Sequence, residues 1–244
     1  MDIKAIGAKK LFKIPNVEGC TNIGGVAISS TGRMFVIKTR QDNAASAIMK
    51  FPDYRKNLHT SREYSGLGHG NGLAFSSGWL AVPPCGYELH MIRVTSLDHK
   101  IYKSGIYISG VAYKGGGVWI VKSQGKLCTI QLSEEGTVKM VGSYKLQNPM
   151  AEKGFTVSQD IAYHDGLVYH IYSHKDKRQS CILVQRLERA KAVVKRVYLG
   201  PRKPKLYEWE SLDFSPDGDM MIVANTDLGD YILEGTGWKT KERN

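Results

Sequence analysis

The chain has 244 residues, 42% of them hydrophobic and 23% charged, a balance that supplies a sizeable core and excludes a disordered or fibrous chain. Lys and Arg number 34 against 23 Asp and Glu, giving a net charge of +11 that favours anionic partners and says nothing about fold. No apolar run reaches the length of a membrane span, and Cys20, Cys85, Cys128 and Cys181 lack the spacing of a zinc or redox motif, so they read as free thiols. The first residues carry no signal-peptide core, so the expected site of synthesis is the cytoplasm.

In chain order, the first strand-like segment is Lys10-Leu11-Phe12-Lys13-Ile14. A phrase then recurs five times: Gly25-Val26-Ala27-Ile28, Gly72-Leu73-Ala74-Phe75, Gly110-Val111-Ala112-Tyr113, Asp160-Ile161-Ala162-Tyr163 and Ser211-Leu212-Asp213-Phe214. With the first residue of each as the anchor, the spacings are 47, 38, 50 and 51 residues, near the period of a four-stranded propeller blade. Each phrase leads into a polar turn, such as Ser29-Ser30-Thr31-Gly32 or Ser215-Pro216-Asp217-Gly218, where glycine supplies the positive φ of a reversal. A second strand follows, rich in β-branched and aromatic residues: Met34-Phe35-Val36-Ile37, Trp79-Leu80-Ala81-Val82, Val118-Trp119-Ile120-Val121, Leu167-Val168-Tyr169-His170-Ile171 and Met220-Met221-Ile222-Val223. Third and fourth strands complete the first four copies, whereas the fifth runs out of chain soon after Leu233. These elements predict an all-β fold: a single five-bladed β-propeller over residues 1–244, with four-stranded blades and the N-terminal strand completing the last blade.

In such a ring the first strand of each blade lines a central channel. Residues just ahead of the anchors are free of the packing duties that fix the repeat. One before the anchor stand Gly24, Asn71, Ser109, Gln159 and Glu210; three before it stand Asn22, His69, Tyr107, Val157 and Glu208. Strand periodicity puts both rows on one side of each strand, gathering His69, Asn71, Gln159, Glu208 and Glu210 at one mouth beside the anchor Asp160. No cofactor is expected, although Glu208, Glu210, His69 and Asn71 are the candidate ligands if the channel holds a divalent cation. Equally, channel-lining polar groups of this kind can serve only to bond one another. The loops after each second strand face the same mouth, adding Arg40, Tyr87, Lys122 and His174 as a basic frame with an aromatic wall. A further basic run, Lys195, Arg196, Arg202, Lys203 and Lys205, lies at the crossing from the fourth to the fifth repeat. It lacks the aromatic rows of a single-strand binder, so nucleic acid is the minor expectation there.

The segment Gly68-His69-Gly70-Asn71-Gly72-Leu73-Ala74-Phe75 resembles a blade-opening motif of a five-bladed propeller family. That family includes receptor-binding proteins of phages of Gram-positive bacteria, teichoic-acid-operon propeller proteins and, more distantly, helveticin-type bacteriocins. Gln159-Asp160-Ile161-Ala162-Tyr163 and Glu208-Trp209-Glu210-Ser211-Leu212 are similar to its later blade-opening motifs. The resemblance implies a non-enzymatic module that binds a cell-surface glycopolymer or anionic glycan through His69, Asn71, Gln159, Glu208 and Glu210, on a product that is virion-associated or released by lysis. Two other readings stay open. One is a metal-dependent hydrolase or lactonase with His69 or Asp160 as base; the other is a protein-interaction scaffold.

Overall fold

The computed structural model describes residues 2–17, 19–96, 98–176, 179–203 and 205–239. Two N-terminal strands, β1 (Asp2–Ala5) and β2 (Gly7–Ile14), precede the first repeat. The first repeat is a meander of β3 (Asn22–Ile28), β4 (Met34–Thr39), β5 (Ala45–Phe51) and β6 (Thr60–Ser65). The second contains β7 (Ala74–Ser76), β8 (Trp79–Val82), β9 (Gly86–Arg93) and β10 (His99–Ile108). The third contains β11 (Gly110–Gly115), β12 (Val118–Ser123), β13 (Lys126–Leu132) and β14 (Val138–Lys145), and the fourth β15 (Phe155–His164), β16 (Leu167–His174), β17 (Ser180–Glu188) and β18 (Lys191–Leu199). The fifth has β19 (Tyr207–Phe214), β20 (Met220–Thr226) and β21 (Gly229–Thr236). The fold is all-β. Among the described residues the helical element is a 3-10 turn, Ala151–Lys153, and no helix is long and apolar enough to cross a membrane.

The fifth meander takes its outer strand from the N-terminus. β2 runs antiparallel to β21, from Gly7 opposite Thr236 to Ile14 opposite Asp230. β1 was not legible in the sequence; it lies parallel to β18, with Asp2 opposite Arg196. The N-terminal segment therefore ties the fourth and fifth meanders together. The third and fourth meanders meet at their outer edges through the single pair Lys145–Lys191, which merges them into one larger sheet.

Neighbouring meanders pack face to face. Phe35 and Ile37 of β4 meet Leu73, Leu80, Val82 and Ile92 of the second meander, while Met34 and Val36 meet Met221, Val223 and Ile232 of the fifth. Alternate side chains of one strand thus enter two different cores, and both sets are buried. This is why the second strands read as unbroken apolar runs rather than alternating ones. A buried ion pair adds to the junction of the first and fifth meanders: Lys38 Nζ lies 2.5 Å from Asp230 Oδ2 and donates to Asn16 Oδ1.

The first strands form a cycle of contacts: β3 touches β7, β7 touches β11, β11 touches β15, β15 touches β19, and β19 returns to β3. Three of the anchors, Gly25, Gly72 and Gly110, are glycines because the strands converge there. A side chain at Gly25 would strike the Gly72 backbone, and one at Gly72, where φ is +147°, would strike the Asp160 carboxylate. Ser211 Oγ donates to Asp160 Oδ2 at 2.6 Å and accepts from the Val26 amide at 3.0 Å. The anchors close on one another and divide the space between the first strands into an upstream and a downstream part.

Candidate functional site

Upstream of the anchors lies a cleft of about 570 Å³, lined by Asn71, Cys85, Tyr107, Ser109, Lys122 and Gln124, with Asn148, Ser158 and Tyr172 on the far wall. Three connections build it. The glycine-rich loop before β7 presents Asn71, the Pro-Pro-Cys turn after β8 presents Cys85, and the end of β10 presents Tyr107. Tyr87, which is exposed, packs edge to face on Tyr107 with ring centroids 5.8 Å apart and so extends the aromatic wall outward.

The floor of the cleft is charged and partly bonded: Asp160 Oδ2 and Lys122 Nζ have partners, while Asp160 Oδ1 is buried without one among the described residues. Lys122 is buried on β12, not displayed on a loop as expected. Its Nζ donates to the Ser158 carbonyl at 3.1 Å and to the Gln159 carbonyl, with Asp160 as its nearest carboxylate influence. Burial drives the Lys122 ammonium down to about 8, against the opposing pull of Asp160 and Cys85. Burial pushes the fully enclosed Asp160 up to about 7, offset in part by the Ser211 hydrogen bond, the Ile161 amide and Lys122. Gln159 Nε2 donates to Glu208 Oε1 at 2.9 Å, and both residues are buried. Cys85 holds a positive φ of 60°, and burial raises its thiol, while Lys122 and the Tyr107 hydroxyl lower it.

The expected residues separate into two groups. Asn71 and Lys122 line the cleft, Gln159, Asp160 and Glu208 lie buried beside or beneath it, and Tyr87 extends its wall. His69 instead faces solvent and pairs its Nδ1 with Asn43 Oδ1 at 3.2 Å. The cause is local: positive φ at Gly68, Gly70 and Gly72 kinks the chain, so the two-residue period assumed for His69 and Asn71 does not exist there. Arg40 pairs with Asp42 at 3.1 Å on an exposed turn, and His174 pairs with Asp176 at 2.7 Å beside Phe155. Glu210 is half-buried at a bulge in β19, between the paired residues Trp209 and Ser211.

The same kind of bulge explains what the sequence reading missed. Register slips between Ser158 and Ile161 in β15, as it does between Ile23 and Gly25 in β3. Simple alternation would point Ser158 away from Gln159's side, but the extra residue turns Gln159 inward and leaves Ser158 on the cleft. Ser158 Oγ is in turn bonded to the buried His170 Nε2 at 2.8 Å, and that ring lies against Tyr172. Burial drives His170 well below the usual imidazole range. An amide–Asp step ahead of an Ile-Ala-Tyr run was the available signal for this irregularity. The cation ligand set expected from Glu208, Glu210, His69 and Asn71 is not assembled. Among the described residues no three His, Cys, Asp or Glu side chains converge as a metal-holding group.

The basic run beyond β17 is divided. Lys195 pairs with Glu188 at 2.9 Å, and Arg196 bonds Asp2 and the Tyr198 hydroxyl. Lys203 and Lys205 line a separate groove of about 440 Å³ with Lys10, Tyr207 and Leu228, while Arg202 stays exposed. Among the described residues the four cysteines form no disulfide, and Cys20, Cys128 and Cys181 are buried.

Neither a protein-family model nor a curated protein matches the chain. Among solved structures it is similar to the glutaminyl cyclase of Myxococcus xanthus, with a TM-score of 0.66 at 13% identity, covering 96% of this chain and 97% of that one. It is also similar to a putative oxidoreductase (glucose dehydrogenase) of Thermus thermophilus, with a TM-score of 0.59 at 14% identity over 95% and 100% of the two chains. A luciferin-regenerating enzyme follows, with a TM-score of 0.53 at 9% identity over 96% of each chain. At such identities the likeness is one of fold, and the fold is propeller-like.

Proposed function

We propose that the five meanders are the blades of a five-bladed propeller, and that its upstream face is a non-enzymatic binding site for a cell-surface glycopolymer. The closed cycle of first-strand contacts and the N-terminal strand on β21 support the blade count. The lining of the upstream cleft carries the functional reading. Its accessible groups are amides, hydroxyls and an aromatic ring from Asn71, Ser109, Gln124, Asn148 and Tyr107, with the buried Tyr172 behind them, whereas Lys122 and Asp160 are sunk into the floor. Amides and hydroxyls match the hydroxyls of a sugar or polyol, and tyrosine faces match its C–H surface. The net charge of +11 draws an anionic polymer to the surface before docking. This also accords with the family resemblance of the blade-opening motifs, with Asn71 as the motif residue that reaches the ligand.

The test is co-sedimentation of purified protein with Gram-positive cell walls, intact and stripped of teichoic acid. Enrichment on intact walls, reduced about tenfold by Tyr107→Ala, is the expected result. Absence of enrichment on intact walls overturns the reading.

A further inference from the structure

The second meander carries a pair of histidines that the cleft does not use. His90 on β9 stands opposite Ile101, and His99 on β10 stands opposite Ile92, so the two are diagonal neighbours on one face of the hairpin. His90 Nδ1 lies 2.9 Å from His99 Nε2, and the rings are tilted by 33° with centroids 5.0 Å apart. The His90 ring is buried, while His99 opens to solvent. Behind the pair, Glu88 Oε2 sits 3.4 Å from the other His90 nitrogen, Nε2, too poorly aligned to satisfy it fully.

We propose that His90 Nδ1 and His99 Nε2 form a two-imidazole chelate for a divalent transition metal of tetragonal preference, Cu(II) foremost and Ni(II) next. Once the shared proton has left and the rings have turned so that both lone pairs converge, the present N···N spacing favours a cis chelate. With metal–imidazole bonds of about 2.0 Å, nitrogens 2.9 Å apart subtend about 90°, the cis angle of a square-planar or tetragonal ion. A tetrahedral ion such as Zn(II) asks for nitrogens about 3.3 Å apart. Cu(II) also tops the general affinity order for nitrogen sites. The protein supplies two ligands and water the rest, through the open side at His99.

The proton inventory is consistent with this exchange. Glu88 favours the His90 tautomer protonated on Nε2, leaving Nδ1 with its lone pair and making His99 Nε2–H the donor in the metal-free pair. Metal entry moves the His99 proton from Nε2 to Nδ1, so both facing nitrogens present lone pairs and no net proton is lost. Glu88, 3.4 Å from the far nitrogen of His90, favours the Nε2-protonated tautomer of that liganding ring by its charge. The bound ion spans the third and fourth strands of the meander and stabilises it by mass action.

The experiment is titration of the untagged full chain with CuCl₂, NiCl₂ and ZnCl₂, followed by electron paramagnetic resonance for copper and calorimetry for all three. One saturable copper equivalent with nitrogen hyperfine structure is expected, with zinc bound more weakly and Tm raised by about 3 °C or more in excess copper. His99→Ala, on the exposed strand, should fold normally and lose that equivalent, as should His90→Gln. His164→Ala and His174→Ala should keep it. Retention of the same copper signal in folded His99→Ala, or no saturable equivalent in the native chain, overturns the proposal.

Discussion

The two sides of the anchor constriction differ in how they are built, the downstream side from the five first strands and the upstream side from loops and strand ends of the second, third and fourth meanders. Downstream, a cavity of about 160 Å³ is lined by the repeated residues themselves, including Ile28, Leu73, Val111, Ile161 and Leu212. Upstream, the larger cleft is lined by residues that no two repeats share, such as Asn71, Tyr107 and Ser158. Positions after the anchor must fill two inter-sheet cores and the downstream cavity at once, which leaves little choice of side chain. Positions before it are released from that duty by bulges and loops. Chemical variety in this molecule begins where the ladder becomes irregular.

Substituting the constriction itself should have the largest effect. Gly72→Ala places a methyl against Asp160 at a φ that non-glycine residues avoid, and should cost about 3 kcal/mol or more in chemical denaturation. Gly105→Ala, where open space surrounds the added methyl, should change stability by less than about 0.5 kcal/mol. A comparable loss of about 3 kcal/mol is expected for Asp230→Ala, because it strands the buried Lys38 ammonium. Were that variant as stable as the native chain, the buried pair would not be what secures the first meander to the fifth.

The next prediction separates the two sides by function. Tyr107→Ala upstream should weaken wall binding about tenfold, while Tyr113→Ala downstream should leave it unchanged. Equal losses from both would erase the distinction.

The smallest effect is one of pH. Asp213, in the downstream cavity, accepts from the Ile28 amide at 2.6 Å and the Phe214 amide at 2.8 Å. Burial nonetheless dominates and pushes its carboxyl up to about 7. The folded chain therefore holds this proton more tightly than the unfolded chain, whose value is about 3.9. Its stabilising contribution is complete below that lower value and is lost as pH rises through about 7. Asp213→Asn should cancel this loss, so its Tm relative to the native chain should rise between pH 4 and pH 7. A constant difference across that range would place the titration elsewhere.

The all-β class, the five copies, the second strands and the use of the N-terminus as an outer strand were legible from residue order alone. That is so because hydrophobic periodicity and turn chemistry are local, and a repeat states them five times. Residue order also marked Asn71, Gln159 and Glu208 as unusual, since they stand where repeats disagree. Tertiary structure alone decided which of these face a ligand. Glycine kinks sent His69 outward to Asn43, a bulge exchanged the roles of Ser158 and Gln159, and Lys122 turned from a presumed rim charge into a buried donor to two carbonyls. It likewise brought Asp160 and Ser211 together across 51 residues of sequence. Such outcomes depend on where separate strands meet and how far each slips in register, and neither is written in the pattern of any one segment.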